Sequence, residues 1–204
     1  MELDMLTVFI SMLVFALIGA ISPGPVNIIA TSTAANFGFR KALPHVMGAT
    51  LAYTLIVFLV GIGLSSVLEI YPQITEFLKY IGGAFLLYMS FKIATAKQTD
   101  NGLIMEATPP RLLEGALSQW LNPKAWLVSM SGVSVFVTSH SSNPSLYLFA
   151  FCLISFAMCF IGIGTWAVLG ELIRSYLANA KYQIAFNRIM GLLLSLTVIT
   201  LFTH

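Results

Sequence analysis

The stretch WLNPKAW, residues 120–126, decides the fold of this chain because it places a proline and a lysine inside an apolar run. The surrounding segment Leu112–Val137 is long and apolar enough to cross a bilayer, and Lys124 falls near its middle. A lysine at the centre of a membrane helix costs about 2.5–3.5 kcal/mol on insertion scales, so its presence there indicates a function. The alternative is that Lys124 snorkels to a membrane interface, which requires span boundaries about two turns away from these.

The composition of the chain is typical of an integral membrane protein. Of its 204 residues, 58% are hydrophobic and 9% are charged. We therefore expect one membrane domain over residues 1–204. The formal net charge of +2 gives no indication of a nucleic-acid partner. Glu2 and Asp4 replace the positive charge of a signal peptide, which predicts that the first apolar segment is retained as a helix.

The hydropathy pattern predicts an all-α fold with six membrane-spanning helices. Their predicted ranges are Leu6–Ala34, Ala42–Leu68, Ile74–Ala94, Leu112–Val137, Leu146–Leu169 and Ile184–Phe202. Basic residues gather in or beside the first, third and fifth connectors, and the opposite side holds only Lys79. They are Arg40, Lys41, Lys92, Lys97, Arg111, Arg174, Lys181 and Arg188. By the positive-inside rule these connectors face the cytoplasm, and both termini face the periplasm.

Three spans are an odd number, so two consecutive three-span halves have opposite orientations in the membrane. These repeats would cover about residues 1–96 and 110–204, and the first span of each is interrupted, at Ser22-Pro23 and at Asn122-Pro123. Matched interruptions are typical of transporters built from inverted repeats, whose substrate site lies where the broken helices meet. Sequence identity between the halves is weak, so topology and break positions carry the prediction.

The residues at both breaks are suited to restarting a helix near the middle of the membrane. Ser22 and Asn122 are good N-caps, and Pro23 and Pro123 suit the first helical position. The N–H groups and positive dipole end of each restarted helix favour an anion. Lys124 adds a full charge, and the assembly suits the carboxylate of a small amino acid. For either break alone, a plain proline kink remains the alternative.

Neighbouring residues complete the predicted substrate site and the helix contacts around it. The predicted substrate-binding residues are Ser22, Pro23, Gly24, Pro25, Asn27, Asn122, Pro123 and Lys124. Asn27 could equally bond a neighbouring helix, whereas Gly24 would let a ligand approach the backbone. Four glycines are predicted to permit close helix packing: Gly38, Gly48, Gly162 and Gly164.

Proton coupling has few candidate residues in this chain. No aspartate or glutamate lies deep in a predicted span, although proton-driven carriers often use one. The candidates are therefore Lys124, His45 or the substrate itself. The position of His45 near the cytoplasmic end of its span favours an interfacial location.

The two cysteines, Cys152 and Cys159, lie one heptad apart in a single apolar segment, without a CxxC pattern. We expect buried, reduced thiols, and we predict no metal site and no cofactor. A membrane thiol oxidoreductase stays open as an alternative, because some of these enzymes are small six-span proteins with paired cysteines.

At these residues the chain resembles the LysE/RhtB family of amino-acid exporters. The sequence PGP at 23–25 and the sequence NPK at 122–124 match two family motifs, and Gly38 and Gly48 fall at the expected places. The run Ala34–Lys41, the stretch FKIATA at 91–96 and the neutral Asn27 look most like the branch that exports cysteine and O-acetylserine.

The chain departs from many of these relatives after PGP, where it has Val26-Asn27 instead of an acidic residue or an Asn-Asn pair. A carboxylate there is thus unavailable for a substrate ammonium group, and Lys124 would repel a basic substrate. The resemblance implies an inner-membrane antiporter, not an enzyme, that exports small neutral amino acids such as cysteine, O-acetylserine, threonine or homoserine. It implies proton-driven alternating access and leaves a homo-oligomer open. A passive pore for another small solute is the remaining alternative.

Overall fold

A computed structural model describes residues 5–63, 72–96, 108–138 and 143–202 of the chain. The helices are α1 (Met5–Ile21), α2 (Pro25–Phe37), α3 (Phe39–Gly61), α4 (Pro72–Ala94), α5 (Leu112–Trp120), α6 (Pro123–Val133), α7 (Pro144–Ile173) and α8 (Ala180–Phe202). A π-helical turn, Ser134–Thr138, extends α6, and a 3-10 turn, Tyr176–Ala178, connects α7 to α8. These described residues include no strand, which confirms the predicted all-α class.

Three of the helices, α3, α7 and α8, are each long and apolar enough to cross a membrane. A fourth crossing results if α1 and α2, which are bent by 62° at their junction, count as one span. Six spans in two inverted repeats therefore remain a prediction. Leu68, the predicted end of the second span, and Lys97 lie outside the described residues.

The first break restarts its helix two residues later than predicted. Gly24 is the N-cap of α2, with φ −175° and ψ 175°, and Pro25 is its first residue. The residue before a proline is disfavoured in the helical region, so Pro25 keeps Gly24 extended and prevents a helix from starting at Pro23. Ser22 consequently does not cap α2, and its hydroxyl donates to the carbonyl of Gly19 at 3.1 Å.

The second break has the predicted form. Asn122 is the N-cap of α6, and Pro123 is its first residue. The Asn122 side-chain oxygen accepts a hydrogen bond from the Lys124 backbone N–H at 3.2 Å. The second half of this broken helix therefore starts beside Lys124, with its positive dipole end there.

The helices pack in two groups that share α2. The larger core joins α1, α2, α3, α6 and α7, and Met12, Ile56 and Phe151 are fully buried in it. The smaller core joins α2, α4 and α8 around Ile29 and Leu86. Both cores contact α2, so the position of the first break depends on both.

Gly48 and Gly115 let α3 and α5 touch backbone to backbone. A Cβ atom at Gly48 would lie 1.9 Å from the Leu112 carbonyl oxygen, and one at Gly115 would lie 2.2 Å from the His45 carbonyl oxygen. On α7, a Cβ at Gly162 would lie 2.6 Å from the Cβ of Ala20. Close approaches of this kind require small residues in membrane helices.

The other two glycines differ in how closely they are packed. A Cβ atom at Gly164 would have no atom of the described chain within 4 Å, so no helix packs closely against this residue. Gly38 connects α2 to α3 with φ +93°, a conformation that favours glycine, and its N–H bonds to the Ala34 carbonyl at 2.8 Å. Gly38 thus makes the sharp turn between the two helices, and it also packs closely, since a Cβ atom there would lie 2.8 Å from Arg174 Nη1.

We predict that Gly115→Ala destabilises the protein, because the added methyl group overlaps the His45 carbonyl and overpacking costs about 1–3 kcal/mol. Gly164→Ala is the matched control, since it makes the same change on a membrane helix where space is open. Thermal unfolding in detergent measures the difference. Equal melting temperatures for the two variants would contradict the close contact between α3 and α5.

Candidate functional site

Lys124 reaches from the second break to the first. Its ammonium nitrogen Nζ donates to the Ser22 carbonyl at 2.8 Å and to the Ser22 hydroxyl at 2.6 Å, and it lies 3.4 Å from the Pro23 carbonyl. These carbonyls follow the C-terminal end of α1, where the helix dipole places partial negative charge. A half-buried ammonium group is therefore stabilised there, and it connects two breaks that lie 102 residues apart in sequence.

Side chains from other segments bind the remaining carbonyls of the first break. Asn27 donates from Nδ2 to the carbonyls of Ala20 and Ser22, each at 2.9 Å. Trp166 of α7 donates from its indole nitrogen to the Ile21 carbonyl at 2.8 Å. Within a bilayer an unbound carbonyl would cost several kcal/mol. Asn27 and Trp166 thus satisfy the carbonyls that the break leaves free at the end of α1.

The second break is stabilised by its own residues. Asn122 donates from Nδ2 to the Gln119 side-chain oxygen at 3.3 Å. The indole nitrogen of Trp126 donates to the Trp120 carbonyl at 2.8 Å, and the two rings meet edge to face at 5.3 Å between centroids. These contacts fix the start of α6 and therefore the direction of the Lys124 side chain.

A cavity of about 30 Å³ lies where the breaks meet. Its polar lining comes from Asn27, Tyr53, Gln119, Asn122 and Lys124. Because a water molecule needs about 10–15 Å³ of such space, the cavity has room for one or two waters. An amino acid is larger, so binding one requires the lining helices to move apart.

The charge of the cavity suits one end of a zwitterion. Among the described residues that line it, Lys124 alone carries a formal charge. A carboxylate would find an ammonium partner there. A substrate ammonium group would find only neutral oxygens, such as the amide oxygens of Asn27 and Gln119.

The structure brings six of the eight predicted substrate-binding residues together, Lys124 among them. Ser22, Gly24, Asn27 and Asn122 each contact Lys124 or line the cavity beside it. Pro23 contributes its carbonyl to Lys124, although its side chain does not line the cavity. The last two, Pro25 and Pro123, are the first residues of α2 and α6 and do not line the cavity.

His45 is buried among the described helices, and its interfacial location stays a prediction. Its side chain is 0% exposed, and Nε2 lies 3.1 Å from the Val26 carbonyl. Its other ring nitrogen, Nδ1, has no hydrogen-bond partner in the described part of the chain. Val26 lines the cavity whereas His45 does not, so His45 reaches the site only through the backbone of α2.

A buried amide network that the sequence pattern had not predicted connects α2, α8 and the backbone of Ala96, two residues beyond the end of α4. Asn36 and Asn187 exchange hydrogen bonds of 2.7 and 3.0 Å, and Gln183 donates to Asn36 at 3.0 Å. Asn187 also donates to the Ala96 carbonyl at 2.8 Å. The spacing of Gln183 and Asn187, four residues apart in an apolar segment, was the available signal for this network.

The cysteines are both free thiols on α7. Cys159 is buried and lines the cavity, whereas Cys152 is partly exposed. Over the described ranges, no three His, Cys, Asp or Glu side chains gather closely enough to hold a metal ion.

Comparison with known proteins places these features in a family. The model of the LysE type translocator family matches residues 17–203. The chain is 30% identical over 189 residues to the cysteine/O-acetylserine efflux protein of Escherichia coli (strain K12), and equally to those of Shigella flexneri and Shigella sonnei (strain Ss046). Each alignment covers 92% of this chain and 94% of the relative. No solved structure gives a significant match to the chain.

Proposed function

The chain belongs to the LysE type translocator family, and from this premise we propose that it exports small neutral amino acids across the inner membrane by alternating access. Cysteine and O-acetylserine are the proposed substrates, since they are in the names of the relatives above. Membership of this family makes the chain a transporter and not an enzyme, so the thiol oxidoreductase alternative is wrong.

The observation that carries the proposal is the contact between Lys124 and Ser22 at the edge of the cavity. A single ammonium group faces a small polar space at the junction of two broken helices. Lys124 now donates to neutral oxygens, whereas a carboxylate would bring a full negative charge to the same ammonium group. A substrate carboxylate could therefore take the place of the Ser22 oxygens on Lys124.

Exchange of this partner would couple substrate binding to movement. When Lys124 leaves Ser22, the first break loses one of the contacts that hold it against α6. The cavity, which now has room for one or two waters, could then widen toward the size of an amino acid. The freed Ser22 carbonyl would become available to the substrate ammonium group.

We propose that six spans form one transport domain, with repeats over about residues 1–96 and 110–204. The spans would be the α1–α2 pair, α3, α4, the α5–α6 pair with its π-turn, α7 and α8. Support comes from the two breaks, which occupy the first span of each half. The basic residues of the alternate connectors would place both termini in the periplasm.

Proton exchange against the amino acid would drive export, with Lys124 and His45 as candidate coupling residues. Lys124 contacts the proposed substrate position directly. His45 is bonded to the Val26 carbonyl at the start of α2, so a change in its protonation would act on the same break. Whether copies of the chain assemble into a homo-oligomer does not enter this mechanism.

We predict that Lys124→Ala lowers O-acetyl-L-serine efflux from proteoliposomes at least about thirtyfold, because it removes the charged partner of the carboxylate. The variant should still insert and fold, since Asn27 continues to bind the Ser22 carbonyl. Lys181→Ala, at an exposed lysine beyond the 3-10 turn, is the control and should export normally. Normal efflux by Lys124→Ala would show that the site is assigned wrongly.

A second prediction separates the carrier from a passive pore. An imposed pH gradient should drive O-acetyl-L-serine against its own gradient, by about tenfold per pH unit for each proton exchanged. Collapse of the gradient with a protonophore should abolish this accumulation. Flux that only equalises the concentrations, whatever the pH gradient, would favour the pore.

A further inference from the structure

A buried histidine nitrogen beside the first break has no hydrogen-bond partner. The Nε2 atom of His45 lies 3.1 Å from the Val26 carbonyl. Because a carbonyl oxygen can only accept a hydrogen bond, Nε2 carries the hydrogen of the neutral ring, and Nδ1 holds the lone pair. Nδ1 has no partner within the described chain, so its lone pair is free to take a proton. A buried nitrogen without a partner is costly and calls for an explanation.

Glu114 is the acidic residue beside His45. The next residue, Gly115, brings α5 against α3, because a Cβ atom at Gly115 would lie 2.2 Å from the His45 carbonyl oxygen and 2.8 Å from its Cα. The Glu114 carboxylate is close enough to His45 to interact with it electrostatically. An ionised carboxylate in this position would attract a positive charge on the imidazole ring.

Two further groups hold the Glu114 carboxylate in place. Its Oε1 accepts a hydrogen bond from Lys92 of α4 at 2.7 Å, and its Oε2 accepts one from the Arg111 backbone N–H at 2.6 Å. Lys92 and Glu114 form an ion pair in which both side chains are partly exposed. Lys92, Glu114 and His45 thus form one cluster, with the ion pair at one end and a ring that binds α2 at the other.

The other ionisable groups around α3 are held elsewhere. The helices packed against α3 are α2, α5, α6 and α7. Lys124 is bonded to Ser22, and Glu171 accepts a hydrogen bond from the Phe39 N–H. Glu114 is the charged group that acts on the His45 ring. The remaining ionisable residues in the described parts of these helices and of α3 itself are Arg40, Lys41, Tyr53, Tyr147, Cys152 and Cys159, and Arg40 and Lys41 are exposed.

We propose that His45, with Glu114 as its counter-ion, is the proton-binding site of the transporter, and that Lys124 binds the substrate carboxylate alone. This inference rests on the proposed function and separates its two candidate coupling residues. In each cycle the Nδ1 lone pair would take one proton from water on the periplasmic side and release it to water on the cytoplasmic side. No covalent bond other than this N–H bond is made or broken.

Proton uptake at His45 would act on the substrate site through the Val26 carbonyl. A charged imidazole ring donates a stronger hydrogen bond than a neutral ring, so it would hold the first turn of α2 more firmly against α3. Val26 is the second residue of α2 and lines the cavity. The substrate carboxylate would release the first break from Lys124, whereas the proton would tighten it. An exchanger requires two ligands that favour different forms in this way.

The test uses Glu114→Gln in proteoliposomes, because the amide keeps the size of the side chain and its hydrogen-bond acceptor but carries no charge. A pH gradient should no longer drive accumulation of O-acetyl-L-serine, so the ratio of about tenfold per pH unit should fall to about one. Exchange of labelled for unlabelled O-acetyl-L-serine at equal pH should continue, since it needs no net movement of protons. Glu114→Asp restores the charge and should recover the accumulation.

Glu171→Gln is the matched control, because Glu171 also accepts from the N–H of a helix start, at Phe39, and also pairs with a basic residue, Arg174, at 3.4 Å. It should accumulate O-acetyl-L-serine to the wild-type ratio. Three results would overturn this inference alone: a wild-type ratio in Glu114→Gln, loss of exchange together with accumulation in that variant, or an equal loss in Glu171→Gln. If the wild-type chain accumulates no O-acetyl-L-serine, the proposed function fails and this inference fails with it.

Discussion

The carbonyl groups at the C-terminal end of α1, which Lys124 binds together with other donors, are the constraint on which the site depends. A helix that ends inside a bilayer leaves carbonyl groups that water does not reach, and each of them needs a donor from the protein. α1 ends at a break, and the carbonyls there are bound by Lys124, Asn27 and Trp166. These donors come from α6, α2 and α7, so the requirement at one helix end fixes the relative positions of four helices.

The hydrogen bonds from Lys124 to Ser22 stabilise the closed site and can also be exchanged for bonds to a substrate. Lys124 is stabilised by neutral oxygens and by the dipole of α1, a weaker arrangement than a pair with a carboxylate. The carboxylate of an amino acid that enters the cavity is therefore a more favourable hydrogen-bond partner for Lys124. When Lys124 binds this carboxylate, its hydrogen bonds to the first break are lost. No buried carboxylate lines the cavity to compete for Lys124 in the described chain. The Lys124 ammonium group thus takes part both in substrate binding and in holding the two breaks together.

The starts of α2 and α6 at the two breaks have local causes and could be predicted from neighbouring residues. The Asn122-Pro123 pair specified both the cap and the first residue of α6. The first break could have been placed correctly by the same reasoning, because Pro25 restricts Gly24. Donors such as Trp166, 145 residues from the carbonyl it binds, belong to no sequence pattern and needed the tertiary structure. The contact of the His45 ring with the Val26 carbonyl, 19 residues away in sequence, likewise needed the tertiary structure.

The most direct test of the proposed role of Lys124 is an experimental structure of the protein with O-acetyl-L-serine bound. We predict that the substrate carboxylate lies within hydrogen-bond distance of Lys124 Nζ, that the bonds from Nζ to Ser22 are lost, and that the cavity is enlarged. A structure in which the substrate binds elsewhere while Lys124 stays bonded to Ser22 would contradict it.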